Sequence, residues 1–304
     1  MTDNALFDRL AVARNRRRGP AENFLFDEVA ARLADRLLDI QRAFPIALDF
    51  SGRLSLEKQL ADAGAMTARG IKSLYAVVEA VESARPGATV IGDPEMLPVA
   101  SGHFDLAMSV MALHWANDLP GVLIQARRSL KPDGLFLAAF LGGDTLFELR
   151  ECLSAAEIEV AGGISPRVSP FVDLRDAGGL LQRAGFALPV ADQDRIEVTY
   201  ASPLALMHDL RAMGETNALV QRRKHFTSRT LFARASELYM QRYAKGGRIY
   251  ATFDVIYLTG WAPHESQQKP LRPGSATTPL AKALGTEEQS AGDKAGPHPS
   301  KKIS

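Results

Sequence analysis

Two carboxylates in this chain of 304 residues lie where short apolar runs end. Asp49 lies at the end of the run 46–50, and Asp93 ends the run 88–93. Both runs have the composition of buried β-strands, and in an open parallel sheet ligands bind at the carboxyl ends of the strands. Gly52 follows the first run, and a residue without a side chain lets the backbone approach a ligand closely. These residues predict a binding pocket at one edge of a sheet.

A second candidate site is formed by His114 and Trp115, which follow the apolar run 104–110. A histidine can act as a general base near neutral pH, and an aromatic ring can attract a cation and shield a reacting group. The structural alternative is that Trp115 belongs to the core and that His114 is a hydrogen-bonded structural residue. The sequence leaves both interpretations open.

These residues need a scaffold that positions them, and the first half of the chain alternates predicted strands with predicted helices. Apolar residues recur every four positions within 21–40, which is the spacing of one helical face. The alternation predicts βαβ units, a parallel sheet and helices on both of its faces, hence an α/β fold. The predicted strands are 46–50, 73–80, 88–93, 104–110 and 135–140, the predicted helices are 21–40, 54–62 and 119–130, and a turn is predicted at 131–134.

The second half of the chain has a different pattern. A helix is predicted over 173–184 and a strand over 195–200, and a mostly helical stretch then leads to a late strand over 250–261. We expect this late strand to pair with 195–200 in the antiparallel direction.

The composition is that of a globular protein, with 46% hydrophobic and 23% charged residues. It excludes collagen, a coiled coil and wholesale disorder. The net charge of +1 is too balanced for a general nucleic-acid or anionic-membrane surface, so no nucleic-acid partner is expected. The single cysteine, Cys152, excludes an internal disulfide framework. No apolar run approaches the length of a transmembrane segment and the first residues lack the apolar stretch of a secretory signal, which predicts a cytoplasmic location.

Four runs of the sequence carry a resemblance to a known family: Phe7-Asp8-Arg9 and the segments 112–120, 142–150 and 261–267. The chain resembles class I S-adenosylmethionine-dependent methyltransferases of the type 11 group. More narrowly, these runs are similar to those of the branch of methyltransferase-like assembly factors of respiratory complex I, over about 5–275. That branch is related to the biotin-pathway carboxyl methyltransferase BioC.

The resemblance implies a seven-stranded Rossmann-like sheet with S-adenosylmethionine lying over its first two strands. Asp49 and Gly52 would then line the cofactor loop, and Asp93 would face the adenine. The acid that would hold the ribose hydroxyls should lie near Val78, which is apolar. Its neighbour Glu79 points to the other face of a regular strand and could substitute only if the strand slips or bulges. Gly52 is the one glycine left in the loop, so either a relaxed cofactor site or a lost one fits the sequence.

On the substrate side, the resemblance directs attention to Asp144 and Arg211. Asp144 follows two glycines after the fifth strand, where it or Thr145 caps the next helix. The segment 207–217 resembles a lid over the acceptor, and Arg211 within it could pair with an anionic acceptor. A surface arginine is the alternative. The basic set 222–225 could attract an acidic partner such as an acyl-carrier protein, or be a solvated surface.

The resemblance also suggests how the chain is organised. The cluster Arg14, Arg16, Arg17 and Arg18 is interpreted as an exposed arm, either a solvated charge run or a contact for an anion. The predicted parts are a basic N-terminal arm (1–20), a methyltransferase-like cofactor core (21–145), the remainder of the fold with a helical lid (146–266) and a disordered tail (267–304).

Three functions remain open at this stage. The first is S-adenosylmethionine-dependent methylation of a protein or acyl-carrier substrate in the assembly of respiratory complex I. The second is hydroxylation of an arginine in a complex I subunit, and the third is a non-enzymatic assembly chaperone. The altered glycine loop favours the second and third. A metal site is left unassigned because the candidate ligands, His114, Asp118, Asp144 and His264, are too scattered in the sequence.

Overall fold

The computed structural model describes residues 5–18, 23–52, 55–79 and 88–268, together with a few isolated positions further along. Contacts between residues divide the chain into two units, Met1–His264 and Glu265–Ser304. The predicted disordered tail, 267–304, lies almost wholly outside the described residues and stays a prediction.

The described strands of the first unit form one mixed sheet. They are β1 (Ile46–Asp49), β2 (Ser73–Val78), β3 (Thr89–Ile91), β4 (Phe104–Val110), β5 (Leu130–Gly142), β6 (Ala187–Tyr200), β7 (Ala244–Lys245) and β8 (Arg248–Trp261). Their order is β3-β2-β1-β4-β5-β8-β6, with β7 paired to β8. β1 to β5 pair in parallel, whereas β8 runs antiparallel to both β5 and β6. This is the strand order of class I methyltransferases, so the predicted α/β fold is confirmed.

Helices cover both faces of this sheet. The described helices are α1 (Arg9–Arg18), α2 (Phe24–Leu38), α3 (Ser55–Asp62), α4 (Ala65–Ala68), α5 (Leu119–Ser129), α6 (Phe147–Ala161), α7 (Leu174–Arg183), α8 (Pro203–Ala212) and α9 (Arg229–Tyr243). No helix in the described part of the chain is long and apolar enough to cross a membrane.

The two faces of the sheet have separate hydrophobic clusters, and β5 contributes to both in alternation. Leu135 and Leu137 pack on one face with α2, whereas Phe136 and Ala138 pack on the other face with α5. Side chains along a strand point to opposite faces, so a strand covered on both sides is apolar at every position. The four-residue spacing predicted for the second helix is confirmed, because its repeating side chains are buried: Leu25, Val29, Leu33 and Leu37.

Some predicted boundaries are wrong. The turn predicted at 131–134 lies inside β5, where Asp133 adopts a positive φ of 63° and the pairing with β4 shifts register. β6 begins at Ala187 rather than at 195, and its early part carries Pro189 and two acidic residues, Asp192 and Asp194. These residues have low strand propensity, and it is pairing with β8 that keeps them extended.

The prediction of an exposed basic arm is also wrong in part. Most of it is α1, and Ala11 and Val12 on this helix are only 2% exposed. Arg14 and Arg17 are exposed, but the side chain of Arg16 is 14% exposed. The physical reason is that α1 has one apolar face, which the dense run of arginines obscures in the sequence.

Candidate functional site

Asp49 ends β1 and lies buried at the carboxyl edge of the sheet. Its carboxylate accepts a hydrogen bond from the backbone N–H of Ser51 at 2.9 Å and another from the Ser51 hydroxyl. The next residue, Phe50, donates its N–H to the carbonyl of Met108 on β4 at 3.0 Å. Asp49 therefore fixes the turn that leaves the sheet.

Gly52 lies in that turn with a φ of +67°, a conformation that other residues rarely adopt. A Cβ built there would lie 3.5 Å from the carbonyl oxygen of Val77, which is ordinary contact. The glycine is thus required by the backbone conformation, whether or not a ligand approaches it. Residues 53–54 lie outside the described part of the chain.

The position expected for a ribose-binding acid is occupied by Val78, which is 4% exposed. β2 ends at this residue, and Glu79 follows in a bend. Strand alternation no longer applies beyond the end of a strand, so the expectation that Glu79 points to the opposite face stays a prediction. Its carboxylate and that of Asp93 contact the same guanidinium group.

That guanidinium belongs to Arg9, at the start of α1. Its Nη2 donates to Glu79 Oε1 and to Asp93 Oδ1, each at 2.7 Å, and its Nη1 lies 3.0 Å from Glu95 Oε1. Arg16, two turns further along α1, lies 3.8 Å from the second oxygen of Glu79. We call Glu79, Asp93 and Glu95 the acidic cluster.

The contacts of the acidic cluster bear on whether S-adenosylmethionine can bind at the ends of β2 and β3. The resemblance assigns Glu79 and Asp93 to the nucleoside, but both carboxylates are bonded to Arg9. The ribose position itself is apolar at Val78. In the arrangement seen here these residues do not fit the adenosine part of the cofactor.

His114 and Trp115 form a short 3-10 helix after β4. The indole Nε1 of Trp115 donates to Glu215 Oε2 at 2.8 Å, and the Nε2 of His114 lies 3.0 Å from the same oxygen. The His114 and Glu215 side chains are 2% and 5% exposed. The ring of Phe7 packs edge-on against Trp115, with centroids 5.1 Å apart. The His114 Nδ1 is buried without a hydrogen-bond partner in the described residues.

Glu215 is a residue that the sequence analysis missed, although it lies in the predicted lid segment. The neighbouring Gly214 is the one sequence feature that indicates a close contact here. It has a φ of +77°, and a Cβ there would lie 3.0 Å from the Arg16 Cα and from the Asn15 carbonyl oxygen. The Asn15 side chain also donates to the carbonyl of Thr216 at 3.0 Å. The loop after α8 is thereby held against α1.

The segment after β5 differs from its predicted role. Thr145 does not cap α6, because its hydroxyl donates to the Gly142 carbonyl at 2.7 Å and also contacts the Asp254 carbonyl oxygen at 3.0 Å. Leu146 takes the cap position with a φ of 56° and makes no side-chain cap bond. The side chain of Asp144 is 73% exposed and lies 3.5 Å from Arg195.

Asp254 organises this segment from β8. Its buried carboxylate accepts bonds from Arg195 Nε at 2.7 Å and Nη2 at 2.8 Å, and from the N–H of Asp144 at 3.0 Å. Hydrogen bonds and the charge of Asp254 raise the pKa of Arg195 further above its usual value. The Asp254–Arg195 pair therefore stabilises the turn that follows Gly142 and Gly143.

The predicted residue Arg211 lies near the end of α8 and is exposed. Its side chain makes no hydrogen bond or ion pair within the part of the chain that the structure describes. The structure therefore does not bring Arg211 to the other predicted site residues.

A cavity of about 620 Å³ opens beside Gly143, just beyond the end of β5. Two arginines, Arg150 and Arg167, contribute to its wall, and most of the remaining wall is apolar. Further lining residues are Leu6, Ile164, Val168, Pro170, Phe171 and Leu219.

The described residues contain no group of three or more His, Cys, Asp or Glu side chains placed to hold a metal ion.

Comparison with known proteins places the chain in a family. The methyltransferase-domain profile matches residues 51–138. The arginine-hydroxylase NDUFAF5, mitochondrial, of Danio rerio is 40% identical over 268 residues, covering 85% of this chain and 81% of that protein. The Homo sapiens protein of the same name is 42% identical over 259 residues, covering 84% and 74%. A malonyl-[acyl-carrier protein] O-methyltransferase of Laribacter hongkongensis is 39% identical over 191 residues, covering 63% and 62%.

Among solved structures, a Bacillus halodurans C-125 protein named as a methyltransferase superposes with a TM-score of 0.50 at 15% identity. It covers 78% of this chain and 100% of that protein, which shows a shared fold. The two NDUFAF5 proteins are more similar in sequence, at 40% and 42% identity. The alignments with them cover 81% and 74% of their own lengths. The chain therefore belongs to the family of the arginine-hydroxylase NDUFAF5 proteins, built on a class I methyltransferase fold.

Proposed function

We propose that this chain is an assembly factor of respiratory complex I that binds an arginine of a client subunit and serves the hydroxylation of that arginine. The observation that carries the proposal is the acidic cluster, which holds the guanidinium of Arg9 between Glu79, Asp93 and Glu95. The relatives at 40–42% identity are named arginine hydroxylases, which supports the same substrate chemistry.

The chemistry of the acidic cluster suits a guanidinium. A guanidinium has five N–H donors in a planar fork, and carboxylates bind it through charge-assisted hydrogen bonds. Three carboxylates surround Arg9, and only one further arginine, Arg16, approaches any of them within 4 Å in the described residues. The cluster keeps excess negative charge, so an arginine of a client could replace Arg9 when α1 moves.

Methyl transfer has less support. The family fold is that of S-adenosylmethionine-dependent methyltransferases, but the ribose position is Val78 and the two nearby carboxylates are bonded to Arg9. A cytoplasmic location stays a prediction, and the names of the relatives include the word mitochondrial.

The proposed reaction inserts one oxygen atom into a C–H bond of the client arginine. Dioxygen is the oxidant, and one of its atoms forms the C–O–H group. The other atom leaves as water with two electrons and two protons from an organic two-electron donor. The residues of this chain contribute the binding and orientation of the guanidinium.

The test compares complex I purified from cells that lack or carry this chain. Mass spectrometry of the subunits should find one arginine that carries an added oxygen only when the chain is present. The variant that combines Glu79→Gln and Asp93→Asn should lose this oxygen, whereas Glu237→Gln, a change at an exposed acid on α9, should keep it.

Two results oppose the proposal in different ways. Full assembly of complex I with no added oxygen on any arginine would show a chaperone instead of a hydroxylase. An added methyl group on a client, dependent on S-adenosylmethionine, would show that the ancestral chemistry of the fold is retained.

A further inference from the structure

We propose that the cavity beside Gly143 binds a small carboxylic acid with a short apolar chain, and that Arg150 holds its carboxylate. This site is separate from the acidic cluster, and the inference does not depend on the function proposed above. It rests on the charge of the cavity wall and on the partners of its two arginines.

Within the part of the chain that the structure describes, the wall of the cavity carries positive charge without negative charge. Arg150 and Arg167 line it, and none of the described lining residues is an aspartate or a glutamate. The two arginines differ in what they bind, and this difference identifies the anion site.

Arg167 is already neutralised. Its Nη2 and Nε donate to the two carboxylate oxygens of Glu157 at 2.7 and 3.0 Å, and its Nη1 donates to Thr227 at 3.0 Å. Burial acts to raise the pKa of Glu157, but the bonds from Arg167 and Ser165 outweigh it and bring the pKa to about 2. The pair stays ionised at neutral pH, and all three donor nitrogens of Arg167 are occupied.

Arg150 has no such partner. Its Nη2 donates to the carbonyl oxygens of Thr145 and Ser169 at 3.2 and 3.4 Å, and both of these acceptors are neutral. Its Nε and Nη1 make no hydrogen bond, and no carboxylate forms an ion pair with it, within the described residues. A partly buried cation without an anion is unfavourable, and a carboxylate that accepts two parallel N–H bonds would offset that cost.

The rest of the cavity wall is mostly apolar, and it determines which chemical group the bound carboxylate can carry. Leu6, Val168, Phe171 and Leu219 line the same cavity as Arg150. A volume of about 620 Å³ lies in the usual range of pockets for small molecules. Because Gly143 borders the cavity directly after β5, the ligand would lie at the edge of the sheet where this fold class binds its ligands.

The experiment is a calorimetric titration of the full chain with hexanoate, with hexanol as the neutral analogue. We expect saturable binding of hexanoate at millimolar or better affinity, and binding of hexanol at least about tenfold weaker. Arg150→Gln should lose hexanoate binding, Arg150→Lys should retain part of it, and Arg175→Gln, a change at an exposed arginine on α7, should bind as the unchanged chain does.

Arg150 also holds two backbone carbonyls, so its loss could disturb the fold. Ile164→Trp is the second variant, since Ile164 lines the cavity and is 66% exposed, so a larger side chain there narrows the cavity without entering the core. It should lower hexanoate affinity while the protein stays folded by circular dichroism. Equal binding of hexanoate and hexanol, unchanged binding in folded Arg150→Gln, or no saturable binding up to about 10 mM would each overturn the inference.

Discussion

Glu157, Glu215 and Asp254 are carboxylates with buried side chains, and each contacts donor groups from at least two other residues. At the scale of residues, this pattern follows from the cost of burying a charge, which is tolerable only when hydrogen bonds or an opposite charge surround it. His114 and Trp115 could be identified from the sequence as neighbours. Their shared partner Glu215 lies a hundred residues further on and becomes adjacent only through the fold.

Replacing Glu215 tests whether this carboxylate holds the 3-10 helix after β4. Glu215→Gln replaces the charged carboxylate that the nitrogens of His114 and Trp115 share with a neutral amide, so both contacts lose the assistance of its charge. We expect the free energy of unfolding to fall by about 1–3 kcal/mol. Urea denaturation followed by tryptophan fluorescence measures it, and Glu197→Gln, at an exposed site on β6, is the control. Equal stability of the two variants would contradict this role.

The lowered pKa of Glu157 predicts a pH dependence of stability. Its pKa is about 2 in the folded protein and 4.5 in the unfolded chain, so its contribution is present above pH 4.5 and is lost as the pH falls towards 2. A shift of this size corresponds to roughly 3–4 kcal/mol. Glu157→Gln should therefore be less stable than the unchanged chain at pH 7, with the difference closing by about pH 2. Urea titrations across this range test it, and a difference independent of pH would refute the assignment.

At the scale of elements, α1 is the least expected part of the structure. It contacts the acidic cluster through Arg9, the ring of Trp115 through the preceding Phe7 and the loop after α8 through Asn15. Sequence periodicity gives little indication of such a helix, since most of its surface is basic and its apolar side is narrow. Its position depends on contacts with three distant segments of the chain.

The close approach at Gly214 provides a test of this docking. Gly214→Ala places a Cβ 3.0 Å from the backbone of α1 in addition to the strain of its positive φ. Gly162→Ala has a similar φ of +68° and no atom within 4 Å, so it isolates the strain, which is about 1–2 kcal/mol. We expect faster tryptic cleavage within α1 for Gly214→Ala than for Gly162→Ala. Equal cleavage rates would show that the loop does not hold α1.

At the scale of the whole molecule, local patterns predicted the strands and helices of the first half because each buries a regular apolar face. The resemblance implied a seven-stranded sheet, and the described sheet has seven strands in one path with the short β7 added as an eighth, paired to β8. The sequence did not reveal that Glu79 and Asp93 share Arg9, since a contact between α1 and two strand ends has no local signal. The cavity with Arg150 was missed for the same reason, because its wall is assembled from segments far apart in the chain.

The single cysteine, Cys152, lies in the hydrophobic core. Cys152 is fully buried in α6, and burial raises the pKa of its thiol to about 11. Because the thiolate is the reactive form, the folded chain should resist alkylation by iodoacetamide at pH 8 and react fully in urea. Mass spectrometry measures the extent of labelling. Rapid labelling of the folded chain would show that α6 is not packed as described.

We propose that the acidic cluster is a guanidinium site whose present occupant is Arg9. The most direct test is calorimetric titration with N-acetyl-arginine amide and with S-adenosylmethionine. We predict that Arg9→Ala binds the arginine amide at least about tenfold more tightly than the unchanged chain, that Arg14→Ala on the exposed side of α1 does not, and that S-adenosylmethionine gives no heat with the unchanged chain. The proposed guanidinium site would be contradicted if the unchanged chain bound S-adenosylmethionine at micromolar affinity and if the loss of Arg9 left the affinity for the arginine amide unaffected.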